Sequence, residues 1–175
     1  WYDFKIEDIY INQIELNDSV AKFKVDLNSG KEVKNNLTFD IYVNSSLNTT
    51  YSKQGKSEIN FQIRNPKRWW PNNLGEPYLY DIKVIVRDNK RIVDSISKKI
   101  GLRTIELVTE KDSIGESFYF KVNDVPIYAK GANYIPQNSL QNKVTDAHYE
   151  KLLDDTVAAN MNMLRVWGGG IYEND

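Results

Sequence analysis

Arg165 and Trp167 lie two positions apart in Met163-Leu164-Arg165-Val166-Trp167, directly ahead of Gly168, Gly169 and Gly170. In an extended segment side chains alternate faces, so Arg165 and Trp167 project one way while Leu164 and Val166 project the other. One face then carries a fixed cation beside a flat apolar ring. That pairing suits a sugar, whose hydroxyls accept hydrogen bonds from guanidinium and whose C–H faces stack on indole; guanidinium also suits carboxylates and phosphates. The glycines permit close approach of a ligand or a neighbouring backbone. A competing reading makes Trp167 a core residue, Arg165 a structural ion-pair partner and the glycines a turn. Residue types alone leave both open.

Elsewhere the chemistry-bearing residues are sparse. His148, the sole histidine, sits near a helix start on a polar stretch and reads as solvated: no Ser or Cys motif accompanies it, and one histidine cannot anchor a histidine-rich metal site. Glu150, Asp154 and Asp155 fall mainly on the solvent side of the same helix, and nothing in their spacing makes them converge in a pocket. Cysteine is absent, which removes disulfides, thiolate zinc sites and thiol nucleophiles together. No metal or cofactor motif is visible. Lysine plus arginine number 23 against 24 acids, and no basic stripe is interleaved with aromatics, so neither nucleic acid nor an anionic membrane is indicated as a partner.

No apolar run approaches the roughly 18 residues of a membrane-spanning helix. The start at Trp1 shows neither a signal peptide nor an initiator methionine, as a processed chain or an excised segment would look. Asn-x-Ser/Thr tripeptides occur at Asn17, Asn36, Asn44 and Asn48. Trp69 and Trp70 form either a sugar-stacking platform or, as is commoner for such pairs, a plug at a sandwich end or against a neighbouring domain.

The elements that must position these residues have two grammars. Up to about Leu107 apolar residues alternate with polar ones, as in Ala21, Phe23, Val25 and Leu27, in Leu37, Phe39, Ile41 and Val43, in Ile59, Phe61 and Ile63, and in Tyr80, Ile82, Val84 and Val86. Turn signals at Asn28-Ser29-Gly30, Asn44-Ser45-Ser46 and Asp88-Asn89-Lys90 separate them. With the less regular runs Phe4 to Ile14 and Arg91 to Ile100, about six or seven strands predict an immunoglobulin-like antiparallel β-sandwich over residues 1–107.

Residues 108–175 read differently. Phe118 to Val122 and Val125 to Tyr128 predict a hairpin around Asn123-Asp124, followed by a loop from Gly131 to Asn142. Thr145 or Asp146 caps a helix whose Tyr149, Leu152, Leu153, Thr156 and Val157 share one apolar face. Met161 to Trp167 is a nearly continuous apolar strand, as parallel strands buried on both faces tend to be. The sum is an incomplete βαβ segment, two strands and one helix that open a larger α/β fold. If that fold is a (β/α)8 barrel of about 250 residues, six strands are missing. Its uncovered apolar strand edges predict a segment that is mobile, self-associating or packed back on the sandwich.

Four motifs in order carry a family resemblance. They are Asn65-Pro66-Lys67-Arg68-Trp69-Trp70-Pro71 with Gly75-Glu76-Pro77-Tyr78-Leu79-Tyr80; Ile100-Gly101-Leu102-Arg103-Thr104-Ile105-Glu106; the run from Phe120 to Pro136 containing Lys130-Gly131-Ala132-Asn133-Tyr134; and Met163 to Glu173. Together they resemble glycoside hydrolase family 2, and most of all its β-mannosidases. The resemblance implies a retaining exo-glycosidase acting on terminal β-D-mannose of oligosaccharides or glycans, without a cofactor, in a periplasmic, secreted or lysosome-like compartment. It implies that Arg165 and Trp167, with Asn133, contribute to the subsite for the terminal sugar. The family's two catalytic glutamates come from later barrel strands, and Glu173 does not match them, so no catalytic residue is assigned. Two other readings stay open. One is a carbohydrate-binding or protein-interaction sandwich module, and the other is a different specificity of the same family: β-galactosidase, β-glucuronidase or exo-β-glucosaminidase.

Overall fold

The computed structural model describes residues 4–29, 37–53 and 58–169. Gly30 and Asn36 therefore lie outside the described residues. The chain divides into two compact units, Trp1–Trp69 with Tyr78–Arg103, and Trp70–Pro77 with Thr104–Asp175.

The first unit is a β-sandwich built from β1 (Asp8–Leu16), β2 (Val20–Asn28), β3 (Leu37–Val43), β4 (Ser46–Lys53), β5 (Glu58–Arg64), β6 (Tyr80–Asp88) and β7 (Arg91–Ile100). One sheet has the order β1-β2-β5 and the other β4-β3-β6-β7, with every neighbouring pair antiparallel. The alternation in sequence is the cause: its apolar half turns inward, and Phe39, Ile41, Ile59, Ile82, Val25, Val84 and Val86 are fully buried between the sheets. Phe23 and Phe61, register partners on β2 and β5, stack with ring centroids 4.7 Å apart. Each such buried side chain contributes about 1.5–3 kcal/mol relative to exposure. Strand β4 was not anticipated from the alternation. It is a polar edge strand whose Leu47 is exposed, so its sequence carries no buried stripe.

Asp40 also breaks the pattern. Alternation sends it away from the core, yet it is 7% exposed. Its carboxylate accepts from Arg87 Nε at 2.7 Å and from Thr50 Oγ1 at 2.9 Å, on the two flanking strands. That carboxylate, with Tyr42 beside it, holds the Arg87 guanidinium above its already high ordinary pKa.

The second unit opens with β8 (Ile105–Val108), β9 (Tyr119–Val122) and β10 (Val125–Ile127), an antiparallel sheet of order β10-β9-β8. The turn between β9 and β10 is tight because Asn123 and Asp124 both take positive φ, 52° and 68°. Then come β11 (Gly131–Tyr134), α1 (Asp146–Ala158) and β12 (Met163–Val166), with β11 and β12 parallel. This corrects the expected loop from Gly131 to Asn142, whose first four residues are a strand. Glycine and asparagine disfavour strands locally, and here the pairing partner decides instead.

Helix α1 is only partly covered. Tyr149, Leu152 and Thr156 are half-buried, but Leu153 and Val157 are 56% and 52% exposed, contrary to a single buried apolar face. Strand β12 is likewise not buried on both faces: Met163 and Leu164 are half-buried, and Arg165 and Val166 are exposed. The cause is the same in both cases. A described sheet of two strands is too narrow to cover a five-residue helical stripe or to enclose a strand.

Candidate functional site

The start of β11 is set by backbone proximity. A Cβ on Gly131 would collide with the carbonyl oxygen of Met163, so only glycine lets the two strands approach this closely. Asn162 holds the same junction with its side chain. It accepts from the Lys130 N–H at 2.8 Å, donates through Nδ2 to the Tyr128 carbonyl at 3.1 Å, and its own N–H reaches the Lys130 carbonyl at 2.8 Å. From the other side, Asn72 Nδ2 donates to the Met161 carbonyl at 3.0 Å. These polar clamps fix the register Gly131 to Met163, Ala132 to Leu164, Asn133 to Arg165 and Tyr134 to Val166.

That register brings two of the three expected site residues together. Arg165 Nη1 donates to Asn133 Oδ1 at 3.1 Å, and both side chains are exposed. Accepting that bond commits the oxygen of the Asn133 amide to the arginine, which leaves its Nδ2 hydrogens as donors. The remaining guanidinium N–H groups are donors too, so the pair offers an edge suited to acceptor oxygens. Asn133 is thus a member of β11 and not of a loop following it, which corrects its expected setting.

Trp167 comes directly after β12, outside the strand. Its N–H donates to the Tyr134 carbonyl at 2.9 Å, and its side chain is 46% exposed. It is therefore neither a core residue nor fully solvated. Gly170 and Glu173 lie outside the described residues.

The helix side of this sheet carries an open groove of about 320 Å³ whose lining includes Ala132, Asn133, Tyr134, Leu152, Asp155 and Leu164. Polar Asn133, Gln137 and Asp155 border it beside the apolar residues, so of the three expected site residues Asn133 belongs to it, and Arg165 and Trp167 do not. Among the described residues no group of three or more His, Asp or Glu side chains is arranged to hold a metal ion.

His148 has a role that its residue type did not announce. Its Nδ1 lies 3.2 Å from the Thr145 N–H and 2.8 Å from Thr145 Oγ1, closing a capping box at the start of α1. The signal was present as Thr-x-x-His, with imidazole in the place of the usual Glu or Gln.

Trp69 and Trp70 are packed rather than laid open. Trp69 lies against Gly101, where a Cβ would fall 2.8 Å from its Cγ, and the Arg103 guanidinium sits 4.8 Å from its ring centroid. Trp70 lies against Gly75 in the same manner, with the corresponding gap at 2.7 Å. Both are half-buried.

Over residues 4–103 the sequence matches the model of Glycosyl hydrolases family 2. The chain belongs to that family. Among its family relatives is Beta-mannosidase B of Aspergillus flavus, 34% identical over 184 aligned positions that cover 99% of this chain and 21% of that protein. The crystal structure of the Beta-D-Mannosidase from Dictyoglomus thermophilum superposes with a TM-score of 0.85 at 32% identity, covering 99% of this chain and 22% of that one. The exo-chitosanase from Amycolatopsis orientalis shares the fold at a TM-score of 0.73 and 21% identity, covering 98% of this chain and 20% of its own. The chain thus spans about a fifth of the length of the curated relatives it matches.

Proposed function

We propose that this family 2 chain is the opening of a retaining exo-glycosidase that removes terminal β-D-mannose from oligosaccharides or glycans. In this reading residues 1–107 form an immunoglobulin-like accessory sandwich. Residues 108–175 supply the first two strands and one helix of a (β/α)8 catalytic barrel. The observation that carries the reading is the Arg165 to Asn133 hydrogen bond across two parallel strands, with Trp167 half-exposed two residues after Arg165 in the chain. Donors beside an aromatic face are what a terminal sugar needs, hydrogen bonds for its hydroxyls and a flat surface for its C–H face. Similarity to β-mannosidases above 30% identity along nearly the whole chain supports mannose as the sugar.

The chemistry itself needs two carboxyl groups about 5–5.5 Å apart. One attacks the anomeric carbon as the glycosidic bond breaks, and the other gives its proton to the departing oxygen. Water, deprotonated by that second group, then releases the sugar. No residue of this chain is assigned either role, and the 175 residues alone are proposed to be inactive. The edges of the two-stranded sheet are proposed to drive self-association of the isolated chain.

Hydrolysis of nitrophenyl β-mannoside should be detectable with the longer protein that contains this segment and absent with the 175-residue chain. Turnover by the chain alone would overturn the assignment of the chemistry to other residues. In the longer protein Arg165→Ala should lower kcat/KM by about 10²-fold or more, the loss typical of a charge-assisted contact made in the transition state. Unchanged kinetics would remove Arg165 from the site.

A further inference from the structure

An added Cβ at Gly168 would meet nothing within 4 Å beyond its own chain neighbours, Trp167 and Gly169. At Gly169 it would run into the far edge of the Trp167 indole, at Cζ3 and Cη2, and lie 3.0 Å from Cε3. The indole thus folds over the backbone of its own following turn, in the space that the missing side chain of Gly169 leaves. Backbone strain is not the reason for glycine here, because neither residue has a φ in the left-handed region.

We infer that Gly169 is a positioning residue for Trp167, seating the indole across the turn. The indole is 46% exposed and is held at its backbone by the Trp167 N–H bond to the Tyr134 carbonyl. Its side-chain orientation therefore rests on what lies beneath the ring. A methyl group at 169 leaves β11, β12 and their hydrogen bonds alone and drives the ring outward, since a half-exposed side chain yields more readily than a paired backbone. The consequence for sugar stacking rests on the reading of this strand end as a sugar subsite, whereas the seating does not.

The test uses the indole N–H resonances of the 175-residue chain in two-dimensional NMR, with the Trp167 signal assigned by its loss in Trp167→Phe. Gly169→Ala should shift that signal and its contacts to residue 169 while backbone resonances of β11 and β12 stay in place. An unmoved Trp167 signal in Gly169→Ala would overturn the inference. Adding mannose to the same samples separates the two ideas. A response of Trp167 in the wild-type chain that is lost in Gly169→Ala supports the positioning role. A ring displaced by Gly169→Ala with no response to mannose in any sample leaves the seating supported, and Gly169→Ala kinetics unchanged in the longer protein would then count against the sugar subsite.

Discussion

Asn123 sits at φ 52°, where a residue with a Cβ is normally strained, and is 6% exposed. Its Oδ1 accepts from the Thr104 N–H at 3.1 Å while its own N–H donates to the Thr104 carbonyl at 3.0 Å. Glycine would satisfy the turn and abandon the first of these bonds. Asn123→Gly should therefore destabilise the second unit by about 1 kcal/mol despite its easier backbone, because a part-buried donor loses its acceptor. Asn123→Ala, which also strains the turn, should cost more, and chemical denaturation orders the three proteins. Asp112 gives a prediction in pH. The N–H groups of Ile114 and Gly115, each 2.7 Å from Oδ1, hold its carboxyl below the ordinary 3.8. A lowered folded value means that the contribution to stability is present above about pH 4 and is lost as pH falls through the folded value. Carboxyl-detected NMR titration should place the Asp112 midpoint below 3.8, and Asp112→Asn should flatten the acid limb of the stability profile. These residue-scale devices were only half legible: Asn-Asp between apolar runs announces a turn, but nothing local announces that the asparagine side chain reaches back to Thr104.

Helix α1 shows the same division at the scale of an element. Its start was legible because Thr145 precedes an apolar period; its end is marked in the structure by Asn160, which takes φ 56° just past the last turn. The Met161 N–H then reaches back to the Thr156 carbonyl at 3.1 Å. Thr145→Ala should lower stability by about 1 kcal/mol. Asn160→Gly should be neutral or slightly stabilising and Asn160→Val destabilising, a sign difference measurable by thermal melts. What the sequence could not convey was how much of the helix a two-stranded sheet covers. The periodicity of Leu153 and Val157 records an apolar stripe, and burial of that stripe depends on what packs against it. Strand β11 was missed for the opposite reason: Gly131-Ala132-Asn133-Tyr134 has little strand propensity, and its pairing with β12 comes from a segment about 30 residues later.

Across the whole molecule, burial is uneven. Nearly all fully buried side chains, from Ile9 and Val25 to Val86 and Leu102, belong to the sandwich, while α1 contains no buried residue. Phe39→Ala should therefore cost about 3–5 kcal/mol and unfold the sandwich at ordinary temperature. Amide exchange should be slowest in β2, β3 and β6 and fast in α1 and β12, since local opening follows the density of buried apolar contact. Uniform protection along the chain would contradict this. The sandwich was the readily legible half, because period-2 alternation is a strong signal wherever one face of each sheet is buried. Asp40 and the polar edge strand β4 escaped that reading, since their burial and pairing come from neighbours and not from their own pattern.

Residues 70–77 belong with the second unit although sandwich strands flank them on both sides in the chain. Asn72 and its bond to the Met161 carbonyl travel with that excursion. The frontier between the units is thus crossed three times, and no single cut in the gene separates them. A recombination event that transplanted residues 104–175 onto another sandwich would leave behind Trp70, Pro71 and Asn72. Such a graft would succeed only where the recipient brought an equivalent excursion, so shuffling should favour exchange of the two units as a block.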